Sequence, residues 1–502
     1  MKPKFERANG NLNRARFFSE SGCQPSVAPD EFCYHSVVKL LLVVLITGRI
    51  CGAQDQPSPF TPELLNTIRQ LQQTARTSKV GYEVLEHVSD QIGPRLSGSP
   101  QEAATVDYMK SQFQQLGLKV SEEPVKVPHW VRGDERAELV SFAGMVPGAP
   151  QKIVVTALGG SVATSPQGIT APIVIVKRPE DLDTLPPDAF KGKIVLLDQA
   201  FDTQLAHAGF PHEAYVRVVR QRVGGANKAA QLGALASLVR SIGSANLRLA
   251  HTGSVIYSGD RRIPAGAISS EDAELIERLS DSGPVVMHLV LTPETLPDAD
   301  SANVIADLRG SRFPEQVILV SAHLDSWDLG TGALDDGAGL GIIFQAAHAI
   351  TSLHLTPLRT IRFMAWTNEE QGGRGYYKYI DDHKVDLGNH VATFDIDVGT
   401  CHPVGYTTDA SARDMKMLQA LTSVLQLQGA PLAQSSSQGS DLTEYGVTTF
   451  DPLVDFRDFY DYHHTAADTL DKADLGGLQD NSALVAVLAY ALGAIEPRVS
   501  LK

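Results

Sequence analysis

The chain has 502 residues, 43% hydrophobic and 20% charged, with 58 acidic against 43 basic side chains and a formal charge of -15. Those proportions exclude disordered and fibrous classes, and the acidic balance, without a basic stripe, excludes nucleic acid as a partner. At roughly 150 residues per domain the length predicts two or three domains.

The first apolar run, residues 37–48, is broken by Lys39 and is shorter than the roughly 20 residues that span a bilayer. Lys39 ahead of the apolar residues 40–46, followed by the small residues of Cys51-Gly52-Ala53, reads as a signal peptide cleaved near Ala53. Residues 1–36 are polar and long for a leader, so translation is expected to begin at Val37 or Val38. The mature protein is then exported, secreted or periplasmic, without a stable membrane span. It keeps Cys401 alone, with no partner for an internal disulfide.

Past a Pro/Gln-rich linker, Leu64, Leu65, Ile68 and Leu71 recur at helical spacing behind Pro62. Tyr82, Val84, Leu85 and Val88 mark a second helix that stops at Gly93-Pro94, and residues 102–116 a third. These make an N-terminal helical part, residues 54–125. From 126 to 290 the texture is strand-rich, with β-branched runs at 153–156, 173–176 and 194–197 and one helix through Ala226, Ala229, Ala230 and Leu232. This segment reads as an inserted module. From 291 to 502, strands at 316–321, 359–365 and 390–396 alternate with helices at 337–353, 375–382 and 413–426. Alternation of this kind predicts a doubly wound α/β sheet, whose active site lies at the carboxyl ends of its strands.

Every candidate for chemistry falls at such an end or in a loop beside it. His323-Leu324-Asp325 closes one strand, Asp335-Asp336-Gly337 opens the next helix, Asn368-Glu369-Glu370 follows the second strand and Asp397 the third. His463-His464 stands near the C-terminus, with Asp468 four residues beyond His464 to orient it. Alone, a paired Asp is a helix N-cap, a paired Glu a helix surface and a paired His a loop. Together, His323, Asp335, Glu370, Asp397 and His464 supply three protein ligands to each of two metals, provided one carboxylate is shared.

His323-x-Asp325, Asp335-Asp336-Gly337, Asn368-Glu369-Glu370, Asp397-x-Gly399 and His464-Thr465-x-x-Asp468 resemble the five motifs of the dinuclear-zinc aminopeptidase family of metallopeptidases. Gly93-Pro94-Arg95-Leu96-Ser97-Gly98-Ser99, Trp130-Val131-Arg132-Gly133 and His323 to Asp328 narrow the resemblance to one branch, over roughly residues 60–495. The resemblance implies an α/β fold, a doubly wound mixed-sheet zinc-peptidase core with an inserted β-rich protease-associated domain. It also implies two Zn²⁺ per chain, one on His323 and Asp397, the other on Glu370 and His464, bridged by Asp335. Asp325 matches the carboxylate that stands behind the first histidine, and Asp441 and Tyr445 match a substrate-side loop.

Two zinc ions would activate a shared water and polarise a carbonyl, leaving one proton shuttle for the protein to supply. Glu369, beside a ligand, fits that role as general base, with His463 or Tyr445 as a hydrogen-bond donor to the oxyanion. The expected activity is exopeptidase hydrolysis of dipeptides or short peptides with a free N-terminus, by a monomer or a homodimer. The rivals are a true carboxypeptidase, a glutaminyl-cyclase-type acyltransferase with one zinc, and a receptor-like binding protein with none. Cys401 has no catalytic part.

Overall fold

In a computed structural model the described residues are 58–243, 247–436 and 440–500; the expected signal peptide and its cleavage site lie outside them. The three leading helices form where spacing predicts. Thr61 caps Pro62–Thr77 by accepting from the Leu64 amide at 3.2 Å, and Ile68, Leu71 and Ala75 bury its apolar stripe. Val80–Glu86 runs on into a wider turn, His87–Ile92, and Gly93 ends it at φ 89°. Ser99 caps Pro100–Gln115.

A long strand, β1 (Lys119–Val131), follows. A second sheet then takes β2 (Glu135–Ser141), β3 (Gln151–Ile153), β4 (Val155–Ala157), β5 (Ile169–Val176), β6 (Ile194–Leu197), β7 (Ala236–Arg240), β8 (Ala265–Ile268) and β9 (Val286–Leu291). The chain returns to the first sheet with β10 (Glu294–Leu308), β11 (Phe313–His323), β12 (Arg359–Trp366), β13 (His390–Asp395), β14 (Pro403–Thr408), β15 (Leu432–Ser435) and β16 (Thr448–Val454). The first sheet has the order β1-β10-β12-β11-β13-β16-β14-β15. Its centre, β12, β11, β13 and β16, is parallel, and β10 and β14 pair antiparallel on either side. Central β11 is buried from Val317 to His323, as expected of a parallel strand covered on both faces. Helices Ala338–Ser352 and Leu475–Ala494, buried along almost their whole length, cover the face of Ile318 and Val320, while Tyr379 of helix Arg374–Asp382, with Leu387, Leu442 and Val447, packs against Val317 and Leu319 on the other.

The second sheet has the order β3-β2-β9-β5-β6-β7-β8-β4. Its two edge strands are consecutive in the chain, with Val154 alone between them. The sheet therefore curls until its edges meet, and the run 153–156, expected as one strand, divides at Val154, whose amide donates to Asp272 at 2.7 Å. The strand-rich texture expected from residue 126 belongs first to β1, which pairs with β10 through Val131. Pro124 and Pro128 lack N–H groups and sit in β1 because it is an edge. The helix predicted at 413–426 is broken: Ala412–Leu418 gives way to a tighter turn, Gln419–Leu421. Leu418, Leu421 and Val424 are buried at a spacing of three, the period of that tighter helix. Among the described residues no helix is long and apolar enough to cross a membrane.

Candidate metal centre

His323 is the last residue of β11, and Glu369-Glu370 and Asp397 lie just beyond β12 and β13. Neighbouring parallel strands thus deliver three of the five expected ligands to one sheet edge. The turn before Ala338–Ser352 brings in Asp335 and Asp336, joined by a cis peptide bond. His463 and His464 arrive on the loop after the turn Phe459–Asp461.

Asp335 stands at the centre. Its Oδ1 is 3.1 Å from His323 Nε2, and its Oδ2 is 3.2 Å from His464 Nε2 and 3.4 Å from His463 Nε2. His464 Nε2 also lies 3.1 Å from Glu370 Oε2. Two groups have ligand atoms close enough to share an ion, His323 with Asp335 and Asp397, and Asp335 with His463 and His464. Buried Asp335 Oδ2 and Glu370 Oε1 have no hydrogen-bond partner among the described residues.

The electrostatics point the same way. Burial, then the Asp335 charge, pushes the Glu370 carboxyl up to about 7. Glu369 and Asp397 open into the cleft, yet removal from bulk solvent and the neighbouring carboxylates push each up to about 8. Burial opposes charge on His323, but the Asp335 hydrogen bond and the carboxylates of Asp336 and Glu369 hold its pKa well above the usual value. Burial likewise opposes the Asp335 carboxylate, but the hydrogen bond with His323 and the nearby His464 imidazole hold it well below its usual range. The cluster crowds together more carboxyl groups than its histidines can neutralise, so that several are driven to hold protons, which together with the orphaned oxygens fits divalent cations.

The supporting residues divide differently from expectation. Asp325, wholly buried, accepts from the amides of Glu369 at 2.9 Å and Glu370 at 3.3 Å and from Ser97 Oγ at 2.8 Å. The nearest partner of His323 Nδ1 is the Asp325 carbonyl at 2.9 Å, with the carboxylate 3.8 Å away. Asp468 does not orient His464: it accepts from the Leu334 and Asp335 amides and so fixes the turn that carries Asp335. Asp336 faces away from the ligands, accepting from the His323 and Gly339 amides. His463 stacks on His464 with ring centroids 3.7 Å apart, close enough to Asp335 to be a ligand rather than only a hydrogen-bond donor. Exposed Asp441 and half-buried Tyr445 form no hydrogen bond with the cluster among the described residues. No residue pattern signals Arg222, Thr252 and Ser254 of the second sheet's module, which contact His464 and Glu370 from outside.

Comparison with known proteins agrees with this picture. A family model described as peptidase family M28 matches residues 303–489. Carboxypeptidase Q from Homo sapiens is 38% identical over 421 residues, 83% of this chain and 85% of the human protein. The crystal structure of a peptidase M28 precursor from Shewanella amazonensis SB2B superposes with a TM-score of 0.81 at 35% identity, covering 87% of this chain and 98% of that one. BSAP, a zinc aminopeptidase from Bacillus subtilis, shares the fold with a TM-score of 0.59 at 21% identity, covering 83% of this chain and 95% of its own.

Proposed function

The chain belongs to peptidase family M28 and is a metallopeptidase, and from that premise we propose that it is an exported dinuclear-zinc exopeptidase acting on dipeptides or short peptides with a free α-amino group. His323, Asp335 and Asp397 would hold one zinc, and Asp335, Glu370 and His464 the other. The second, curled sheet would be a protease-associated domain. The observation that carries the reading is Asp335, whose two oxygens reach histidines on opposite sides, 3.1 Å to His323 and 3.2 Å to His464. A carboxylate so placed is one ligand for two metals.

Zinc, when bound, supplies a Lewis acid that polarises the scissile carbonyl and lowers the pKa of water. The chain's own residues do the rest. Glu369 takes the proton from the attacking water and returns it to the leaving amine. Asp325 fixes Glu369 and Glu370 by their backbone amides, so the base and its neighbouring ligand keep one spacing.

Metal analysis of the purified protein should find two zinc ions per chain; one or none would refute the dinuclear reading. The name of the human relative favours a second reading, release of a C-terminal residue. Acetylating the N-terminus of a dipeptide substrate should abolish hydrolysis while amidating its C-terminus is tolerated; the reverse pattern would make the enzyme a true carboxypeptidase.

A further inference from the structure

The two proposed metal positions differ in what holds them. His323 ends β11 and Asp397 lies just beyond β13, and among the described residues no hydrogen bond joins either to residues 135–291. Glu370 and His464 are gripped by a loop of the second sheet's module. The Thr252 amide donates to the His464 carbonyl at 2.9 Å, and the Thr252 carbonyl faces His464 Nδ1 at 3.3 Å. Two residues on, Ser254 Oγ donates to the Glu370 carbonyl at 2.7 Å. One short loop therefore touches the two ligands that this position does not share.

The loop is itself clamped. Arg222, 6% exposed, donates from one terminal nitrogen to the Thr252 carbonyl at 3.1 Å and from the other to Tyr215 Oη at 2.6 Å. Thr252 Oγ1 donates to the Ala157 carbonyl and accepts from Arg132, which pairs with Asp328. Gly253, at φ 132°, lies so close to the guanidinium that a Cβ there would be 2.3 Å from Arg222 Cζ. The grip matters because His464 has φ 62°, a backbone conformation that non-glycine residues adopt rarely and that surrounding contacts must hold.

We propose that residues 252–254 are a positioning element for the Glu370 and His464 metal position alone, so that the second sheet's module is a working part of the catalytic centre. This rests on the dinuclear reading above. Outer partners of metal ligands are worth about 10- to 100-fold in metal affinity. Ser254→Ala removes one of them without adding bulk, and Gly253→Ala drives the loop off its seat with no change in charge.

The test is metal analysis after dialysis of the full-length protein against a graded series of chelator concentrations, with zinc back-titration and a melting curve for each variant. Ser254→Ala should release one zinc at a chelator activity about 10- to 100-fold below that needed for the parent protein, and keep the other. Gly253→Ala should hold one zinc at most. Gly224→Ala, where a Cβ meets nothing within 4 Å, should match the parent. If Ser254→Ala keeps two zinc ions with unchanged affinity, or weakens both alike, the loop's role is overturned while the dinuclear reading stands. A parent protein holding fewer than two zinc ions overturns that reading and this inference with it.

Discussion

Glu369 and Glu370 are adjacent and chemically identical, and the structure gives them opposite surroundings. The Glu369 side chain opens into the cleft and forms no side-chain hydrogen bond among the described residues; its amide is held by Asp325. Glu369→Gln therefore removes no packing and leaves that amide bond intact. Stability should stay within about 0.5 kcal/mol of the parent, as for a surface substitution, and zinc content should not change. A Gln side chain accepts no proton, so kcat should fall by about 10² to 10⁴, roughly 3 to 5 kcal/mol of barrier, with KM little altered. Glu370 is 9% exposed, and its Oε2 faces His464 Nε2 at 3.1 Å. Glu370→Gln should instead lose metal, and excess zinc should partly restore activity, because affinity has become limiting. Dipeptide hydrolysis measured across a zinc titration separates the two. If zinc rescues Glu369→Gln, while Glu370→Gln is inactive with two metals already bound, base and ligand have been assigned in reverse.

Asp335→Ala should lose both metals together, since one residue serves both positions; two tightly bound zinc ions in the purified variant would refute the bridge. Cys401→Ser should leave turnover nearly unchanged, because burial pushes the thiol up to about 12 and keeps it protonated at neutral pH; loss of activity with full metal content would revive a cysteine mechanism. Chelated protein should become less stable between pH 6.5 and 8.5. Glu370 and Asp468, each pushed up to about 7 by burial and then by Asp335, hold protons in the folded state that the unfolded chain, with carboxyls near pKa 4, has already released. Their stabilising protons are lost as pH rises through the folded values. His251 and His390, pushed down to about 3 and about 4, are neutral in both states over most of that window. Melting curves with chelator at the two pH values test the sign, and a higher melting temperature at pH 8.5 would contradict it.

What the sequence made legible was what local pattern controls. His323, Glu370 and Asp397 were readable because each follows an apolar strand, and the parallel order β12-β11-β13 brings strand ends together without further instruction. Asp335 was readable from its glycine-rich neighbourhood. Asp468 was misread because its spacing of four from His464 suggests a local contact, whereas its partners are the amides of Leu334 and Asp335. Thr252 and Ser254 were invisible for a related reason. They act through a backbone amide, a carbonyl and one hydroxyl, groups that leave no residue-type signature, across more than a hundred residues of chain. His463 was legible as a residue but not as a neighbour of Asp335, since only the packed loop decides which of two adjacent imidazoles faces a carboxylate.

The curled second sheet also bears on how copies of this protein can meet. An open edge strand offers a row of unpaired amides and carbonyls to any passing strand. In the second sheet β3 and β4 turn into each other at Val154, so neither stands far from a neighbour. These edges have only three residues each, and those of the first sheet are blunted too: β15 has four residues, while β1 carries Pro124 and Pro128 among Lys119, Glu122, Glu123 and Lys126. Strand addition is thereby discouraged at every border, which guards the peptidase against stacking into fibres at high local concentration. Any stable pairing of two copies has to be made through side chains on a face.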